Sequence, residues 1–232
     1  MSPRRYALVQ LAVMVVVAVS AHAQSTGNVR TLSVERLELR NVKADAITYK
    51  GYPAVRLVDV GAPDLDDAGR LAIVRGTSFT DGTIEVDLTG DTGPNAAENL
   101  RGFVGVAFRV ATDASRFECF YLRPKNGRSQ DQLQRNHSVQ YISIAGFPWQ
   151  KLRSEAPGKY ESYVDLVPGE WTKVKIIVSG EGSTLCKRGC GAGTHCERFE
   201  AGSGSGHYRT LDRTRHNCAF RQLEDRSAKL MV

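Results

Sequence analysis

Between Gln24 and Gly182 the chain has one cysteine, Cys119, and one histidine, His137. A lone cysteine cannot close a disulfide inside that stretch, so no disulfide framework holds it. Cys119 is expected to pack as a small apolar residue in its strand. A lone histidine restricts a Ser-His-Asp triad to His137, and no motif near it in the sequence proposes a nucleophile. A Walker loop, a Rossmann glycine pattern, a nucleophile elbow and an H-E-x-x-H motif are all missing. Charge of one sign is missing as well. Of the 31 Lys/Arg and 25 Asp/Glu, two basic residues precede Gln24, and nine basic and five acidic residues follow Gly182. Twenty of each remain between, so the net charge of +6 belongs to the two ends. A neutral segment gives no electrostatic footprint for a nucleic-acid partner. No stretch has the periodicity of a long amphipathic helix; Asp64–Gly69 has room for one turn.

What is present is alternation with period two. Thr83–Leu88 puts Ile84, Val86 and Leu88 on one face. Phe103–Arg109 does the same with Val104, Val106 and Phe108, and Phe117–Arg123 groups Phe117, Cys119, Tyr121 and Arg123. Ala46–Tyr49, Ala54–Leu57, Leu71–Val74, Val139–Ser143, Tyr160–Leu166 and Trp171–Val178 complete the predicted strands. Asp81-Gly82, Thr92-Gly93-Pro94, Pro157-Gly158 and Pro168-Gly169 mark turns between them. Many short strands joined by Gly/Pro turns predict an all-β fold, an antiparallel two-sheet sandwich or jelly roll. About 160 residues suffice for one such domain.

The ends differ from this middle. Arg4-Arg5, the apolar run Tyr6–Val19 and Ala21-His22-Ala23 have the order of a secretory signal peptide over residues 1–23. The run is short for a membrane span. Cleavage after Ala23 predicts a periplasmic or extracellular protein with no membrane partner afterwards.

Candidate ligand residues are polar or aromatic groups in and beside the central strands: Arg109, Tyr121, Arg123, Asn126, Gln140, Tyr141, Trp149, Arg153 and Glu161. Flat aromatic rings supply stacking faces, and Arg, Asn, Gln and Glu supply the planar hydrogen-bonding groups that sugar hydroxyls need. Read as a ligand site, the cluster suits a carbohydrate partner. Cross-strand ion pairs and tyrosine corners account for the same residue types. Glu85 and Asp87 share a strand face, as a glycosidase carboxylate pair would. The third carboxylate of such an E-x-D signature would fall at Thr89 or Gly90, so a solvated face of an edge strand describes them better. No residue is assigned a catalytic or metal-binding role and no cofactor is expected. The single metal option is Ca²⁺ at Asp91 and neighbouring carbonyls.

Four segments carry a family resemblance: G-F-V-G-V-A-F-R from Gly102 to Arg109, F-E-C-F-Y-L-R-P from Phe117 to Pro124, S-V-Q-Y from Ser138 to Tyr141, and G-E-W-T-K-V-K from Gly169 to Lys175. Over about residues 30–182 the chain resembles the concanavalin A-like lectin/glucanase superfamily. It is most similar to secreted bacterial proteins near the 3-keto-disaccharide hydrolase (domain of unknown function) and laminin-G-like families. The resemblance implies a two-sheet jelly roll with a carbohydrate as the commonest ligand class. It transfers no catalytic residue. The leading expectation is a carbohydrate-binding or carbohydrate-associated domain without catalysis. The alternatives are a glycoside hydrolase or lyase acting on a disaccharide or polysaccharide, and a laminin-G-like adhesion domain.

From about Ser183 onward Cys186, Cys190, Cys196 and Cys218 stand among arginines, glycines and three histidines. Their spacing is not that of a zinc knuckle. Codons compatible with Gly189–Met231, read one base later, spell a string holding G-T-I-G-L-W and F-A-N-L-K-I, with a stop across the codons of Leu230 and Met231. Those are strand patterns of the kind the superfamily uses to close its sheets. Residues 183–232 are therefore expected to be an out-of-frame tail without regular strands, leaving the sandwich over 24–182 incomplete. A disulfide or metal module and a disordered basic extension are the other readings of the tail.

Overall fold

The computed structural model of the chain describes residues 32–60, 69–94, 96–188, 194–200 and 229–231, the backbone alone for 186–188, 194–200 and 229–231. The strands are β1 (Leu37–Arg40), β2 (Val42–Tyr49), β3 (Tyr52–Asp59), β4 (Leu71–Val74), β5 (Gly82–Leu88), β6 (Val104–Phe108) and β7 (Phe117–Leu122). They continue with β8 (Val139–Ile144), β9 (Glu161–Ser162), β10 (Thr172–Ser179), β11 (Gly182–Arg188), β12 (Thr194–Glu200) and β13 (Lys229–Met231). Two short helices, α1 (Gln132–Asn136) and α2 (Trp149–Glu155), interrupt them. The predicted signal segment and the Asp64–Gly69 turn lie wholly or mostly outside the described residues.

Every sheet is antiparallel. One has seven strands in the order β1-β4-β13-β6-β7-β8-β9, one has four in the order β12-β11-β10-β5, and β2 and β3 form a separate hairpin. Val106, Phe108 and Phe120 of the larger sheet share one core with Ile84, Leu88, Val174, Ile176, Val178 and Leu185 of the four-stranded sheet. This all-β arrangement is compatible with a β-sandwich. On β10, Val174, Ile176 and Val178 are buried, while Lys173 and Ile177 between them are exposed, as period-two alternation requires. On the outer face Lys173 and Lys175 stand opposite Asp87 and Glu85 and pair with them at 3.0 and 2.9 Å. These two carboxylates are thus cross-strand ion-pair partners on a strand at a sheet edge.

The register of β7 with its neighbours decides which face each side chain uses. Phe120 stands opposite Val106 and Tyr141, and Glu118 stands opposite Phe108 and Ser143. Those residues share the face turned toward the four-stranded sheet. Tyr121 stands opposite Gly105 and Gln140, and Gln140 in turn opposite Glu161. These lie on the other face. A Cβ at Gly105 would meet Phe120 O and Tyr121 Cβ at 2.6 Å, so the ladder beside Tyr121 needs a glycine there.

Two expectations are corrected here. The strand predicted over Tyr160–Leu166 is only the two-residue β9. Its continuation packs against a 3-10 turn: a Cβ on Gly127 would come within 2.4 Å of Leu166 N, so backbone lies on backbone where a ladder would otherwise run. Second, the tail is not devoid of strands. Ser179 and Gly182 close a hairpin that carries β11 along β10 as far as Lys173, and β12 adds to β11 with Cys186 at the register position opposite Cys196. The edge of β10 offers unpaired N–H and C=O groups, and a strand without proline can satisfy them whatever its side chains are. Ser183 and Leu185 are buried by this pairing, but the Ser183 hydroxyl finds no hydrogen-bond partner. Cys190 and Cys218 lie outside the described residues.

Candidate functional site

On the outer face of β7, β8 and β9 the ladder sets Tyr121, Gln140 and Glu161 side by side. Arg123, two residues beyond Tyr121, continues the row. The chain then leaves the sheet and returns over it twice. The first return is α1, capped by Asp131, whose carboxylate accepts from Leu133 N–H at 2.8 Å. The second is α2, which starts at Trp149 directly after Pro148 and seats Leu152 in the core. Between the two helices and the sheet lies a cleft of about 460 Å³, within the usual range of small-ligand sites. Tyr121, Arg123 and Asn126 line it from the sheet side, Asp131, Leu133, Gln134 and His137 from α1 and its end, and Trp149 and Arg153 from α2. Arg101 and Phe103 complete the wall.

A buried charge network holds this lining in place. Glu161 receives the Arg153 guanidinium at both oxygens, its Nε at 3.0 Å from Oε2 and its Nη2 on Oε1. Arg123 Nη1 reaches the same carboxylate at 3.4 Å and His137 O at 2.9 Å, while its Nη2 donates to Tyr121 Oη at 3.0 Å and to Gln140 Oε1 at 3.4 Å. The Arg123 guanidinium also lies 5.0 Å from the Tyr121 ring centroid and 5.8 Å from that of Phe103. The Arg153 guanidinium lies 4.7 Å from the Trp149 ring. Gln140 is fully buried, and its amide donates to Tyr141 O and Tyr160 O at 2.9 and 3.1 Å. It props Arg123 from below the cleft.

His137 Nε2 stands 3.4 Å from Glu161 Oε2. Burial pushes its imidazole below its ordinary pKa; Glu161 opposes that shift, while Arg153 and Arg123 reinforce it. Around neutral pH the ring is uncharged. Among the described residues Asp131 is the one carboxylate on the lining itself, and Glu161 lies beneath it, engaged by two arginines. The site therefore offers ring faces and fixed planar donors.

Five of the nine predicted ligand residues, Tyr121, Arg123, Asn126, Trp149 and Arg153, line the cleft together. Gln140 and Glu161 support it from behind. Arg109 and Tyr141 do not belong to it. Adjacent strand residues point to opposite faces, so Tyr141 must face inward where Gln140 faces outward. Its hydroxyl donates to Glu118 Oε2 at 2.8 Å, and burial raises its pKa well above the ordinary tyrosine value, with the Glu118 charge adding to the rise. Arg109 has left-handed backbone, φ 51°, just past β6. It bonds Thr80 O at 2.7 Å, Asp81 Oδ1 at 2.8 Å, Glu118 Oε1 at 2.9 Å and Gly180 O. Arg101, Phe103, Asp131, Leu133, Gln134 and His137 line the cleft and were not among the predicted ligand residues. For the last four the signal available was the long polar connection Arg128–His137 between two strands, since connections on a rigid scaffold carry function more often than strands do; Arg101 and Phe103, just before β6, carried no such signal.

Cys119 is fully buried, and burial raises its thiol pKa, as suits an inert packing residue. Asp91 accepts a hydrogen bond from Thr92 N–H at 2.7 Å, and no group of three or more His, Cys, Asp or Glu able to hold a metal occurs among the described residues. No helix among them is long and apolar enough to cross a membrane. Comparison with protein-family models, with curated proteins and with solved structures finds no match to this chain.

Proposed function

We propose that this chain is a secreted carbohydrate-binding protein of the concanavalin A-like jelly-roll type, with the cleft between α1, α2 and the outer face of β7–β9 as its sugar site. One observation carries the reading. Trp149, Tyr121 and Phe103 border a cleft whose planar donors Arg123 and Arg153 are held by a buried carboxylate, while the Asn126 amide is held on His137 O at 3.1 Å. Sugar rings stack on such aromatic faces, and their hydroxyls bond to planar donors whose orientation is already fixed. The secreted location rests on the Arg4-Arg5, apolar-run and Ala21-His22-Ala23 order. Mass spectrometry of the exported protein is expected to find Gln24, free or cyclised, at its N-terminus. An intact Met1 form confined to the cytoplasm rejects export.

A glycan array on the full chain tests the site. Trp149→Ala and Phe103→Ala, both at partly exposed rings of the lining, are expected to abolish binding while the unfolding transition is kept. Unchanged binding in both removes the cleft from the reading.

A second reading, a glycan lyase or hydrolase, draws on one feature. His137 is a half-buried neutral imidazole on the cleft wall, the form in which histidine accepts a proton. Its mark would be turnover of a bound glycan that His137→Gln stops.

A further inference from the structure

The charges around the cleft do not balance. Arg101, Arg123 and Arg153 line it, against Asp131 on the wall and Glu161 underneath. His137 is neutral in this setting, so three guanidiniums face two carboxylates. Glu161 is also less available than Arg153, whereas Arg123 is nearly as buried as Glu161 and Asp131 is exposed. The Glu161 side chain is only 2% exposed and both its oxygens are taken, whereas that of Arg153 keeps 34% exposure beside Trp149. Asp131 is tied to the N-terminus of α1. Arg153 spends Nε and Nη2 on Glu161, and its Nη1 makes no hydrogen bond among the described residues. A second cation, Arg101, stands on the same lining; its Nη1 donates to Glu98 O at 2.8 Å, and its Nε and Nη2 donate to the Gln134 amide oxygen at 3.0 and 3.3 Å.

We infer that the cleft selects an acidic sugar, one bearing an oxyanion (a uronate carboxylate or a sulfate ester) that lies against Arg153 and Arg101 while the ring stacks on Trp149. This rests on the carbohydrate reading of the cleft. A guanidinium presents parallel N–H donors that match the oxygens of a carboxylate or a sulfate, and charge-assisted bonds are about twice as strong as neutral ones. Stacking the ring on Trp149 keeps water from the ion pair and strengthens it. A neutral sugar in the same place leaves the excess positive charge uncompensated, and an anion does not.

Titration calorimetry of the full chain at low salt separates the outcomes. The probes are a polyuronate oligosaccharide, the same oligosaccharide with its carboxyls reduced to alcohols, and a sulfated oligosaccharide. The uronate or the sulfated sugar, or both, is expected to bind at least about tenfold more tightly than the reduced one, equivalent to about 1.4 kcal/mol. Which of the two prevails identifies the oxyanion. Arg101→Gln is expected to remove most of that preference. It leaves the Glu161 network untouched and so reports on charge even if Arg153→Gln fails to fold. Equal binding of acidic and reduced sugars overturns the acidic preference and leaves the carbohydrate reading standing. No binding of any of the three by folded protein, together with an empty neutral glycan array, overturns both.

Discussion

Arg123 Nη1 and Glu161 Oε1 meet at 3.4 Å with side chains only 7% and 2% exposed, so the wall of the cleft is built on an ion pair removed from water. Removing one partner of such a pair strands the other charge in a poor solvent. Here the stranded charge is Arg123, while Arg153, which shares the carboxylate, loses its partner but keeps a third of its side chain in water. Glu161→Gln is expected to lower stability by about 3–5 kcal/mol, read as a shift in the denaturant midpoint. A loss below about 1 kcal/mol would mean that water reaches the pair and that the network does not organise the cleft.

Arg109 tests whether arginines in this fold can be told apart by position. It joins the segment before β5, the carboxylate on β7 and the turn between β10 and β11, away from the cleft lining. Arg109→Ala leaves Glu118 buried without its cation, and the expected loss is about 2–4 kcal/mol of stability. Glycan affinity should stay within about twofold, because no contact with sugar is lost. A variant that stays stable but no longer binds would restore Arg109 to the ligand site.

The pH dependence follows from His137. Its pKa lies below the ordinary 6.5 in the folded chain, with burial as the main cause, so the unfolded chain takes up this proton first as pH falls. Stability therefore rises with pH between the lowered value and 6.5 and is flat in this contribution above it. The urea midpoint of the native chain should climb more between about pH 5 and about pH 7 than that of His137→Gln. Glu161, Asp131, Arg123 and Arg153 face the ring and remain in both proteins, so the difference isolates the imidazole. Equal slopes would show that His137 titrates as a solvated group.

The tail gives the fourth prediction. β13 joins β4 and β6 through only three residues, with Leu230 opposite both Ala72 and Val106. β11 buries the Ser183 hydroxyl without a partner. Neither feature looks selected for its place. The neighbouring frame offers F-A-N-L-K-I for a terminal strand, which alternates and is longer than β13. Sequencing the gene across codons 180–232 checks the frame directly. The restored protein should unfold at a higher denaturant midpoint and resist protease better than the chain as written. If the chain as written binds one zinc through Cys186, Cys190 and Cys196 and its denaturant midpoint rises when it does, the tail is a genuine module.

How much was legible in advance depended on the range of the interaction. Thr83–Leu88 and Trp171–Val178 alternate so regularly that their buried faces follow from the residues alone, because period two is a local property of extended backbone. Tyr121, Arg123, Asn126, Trp149 and Arg153 were recognisable as site candidates because aromatic and guanidinium groups are more than strands require. Glu161 was recognisable too, but not as the anchor under two arginines, since Arg123 and Glu161 are joined only through the pairing of three strands.

The sequence by itself determined that this chain is all-β, that its central segment is electrically neutral, and that the first and last parts are of a different character. Each of these follows from composition or from neighbours a few residues apart. Only the tertiary structure decided that Gln140 supports the cleft while Tyr141 faces the core, that Arg109 is a clamp, and that His137 is neutral on the cleft wall. Those outcomes depend on strand register, on helices laid over a sheet and on loss of water around a charge. Such quantities come into existence when distant segments meet, and no local pattern encodes them.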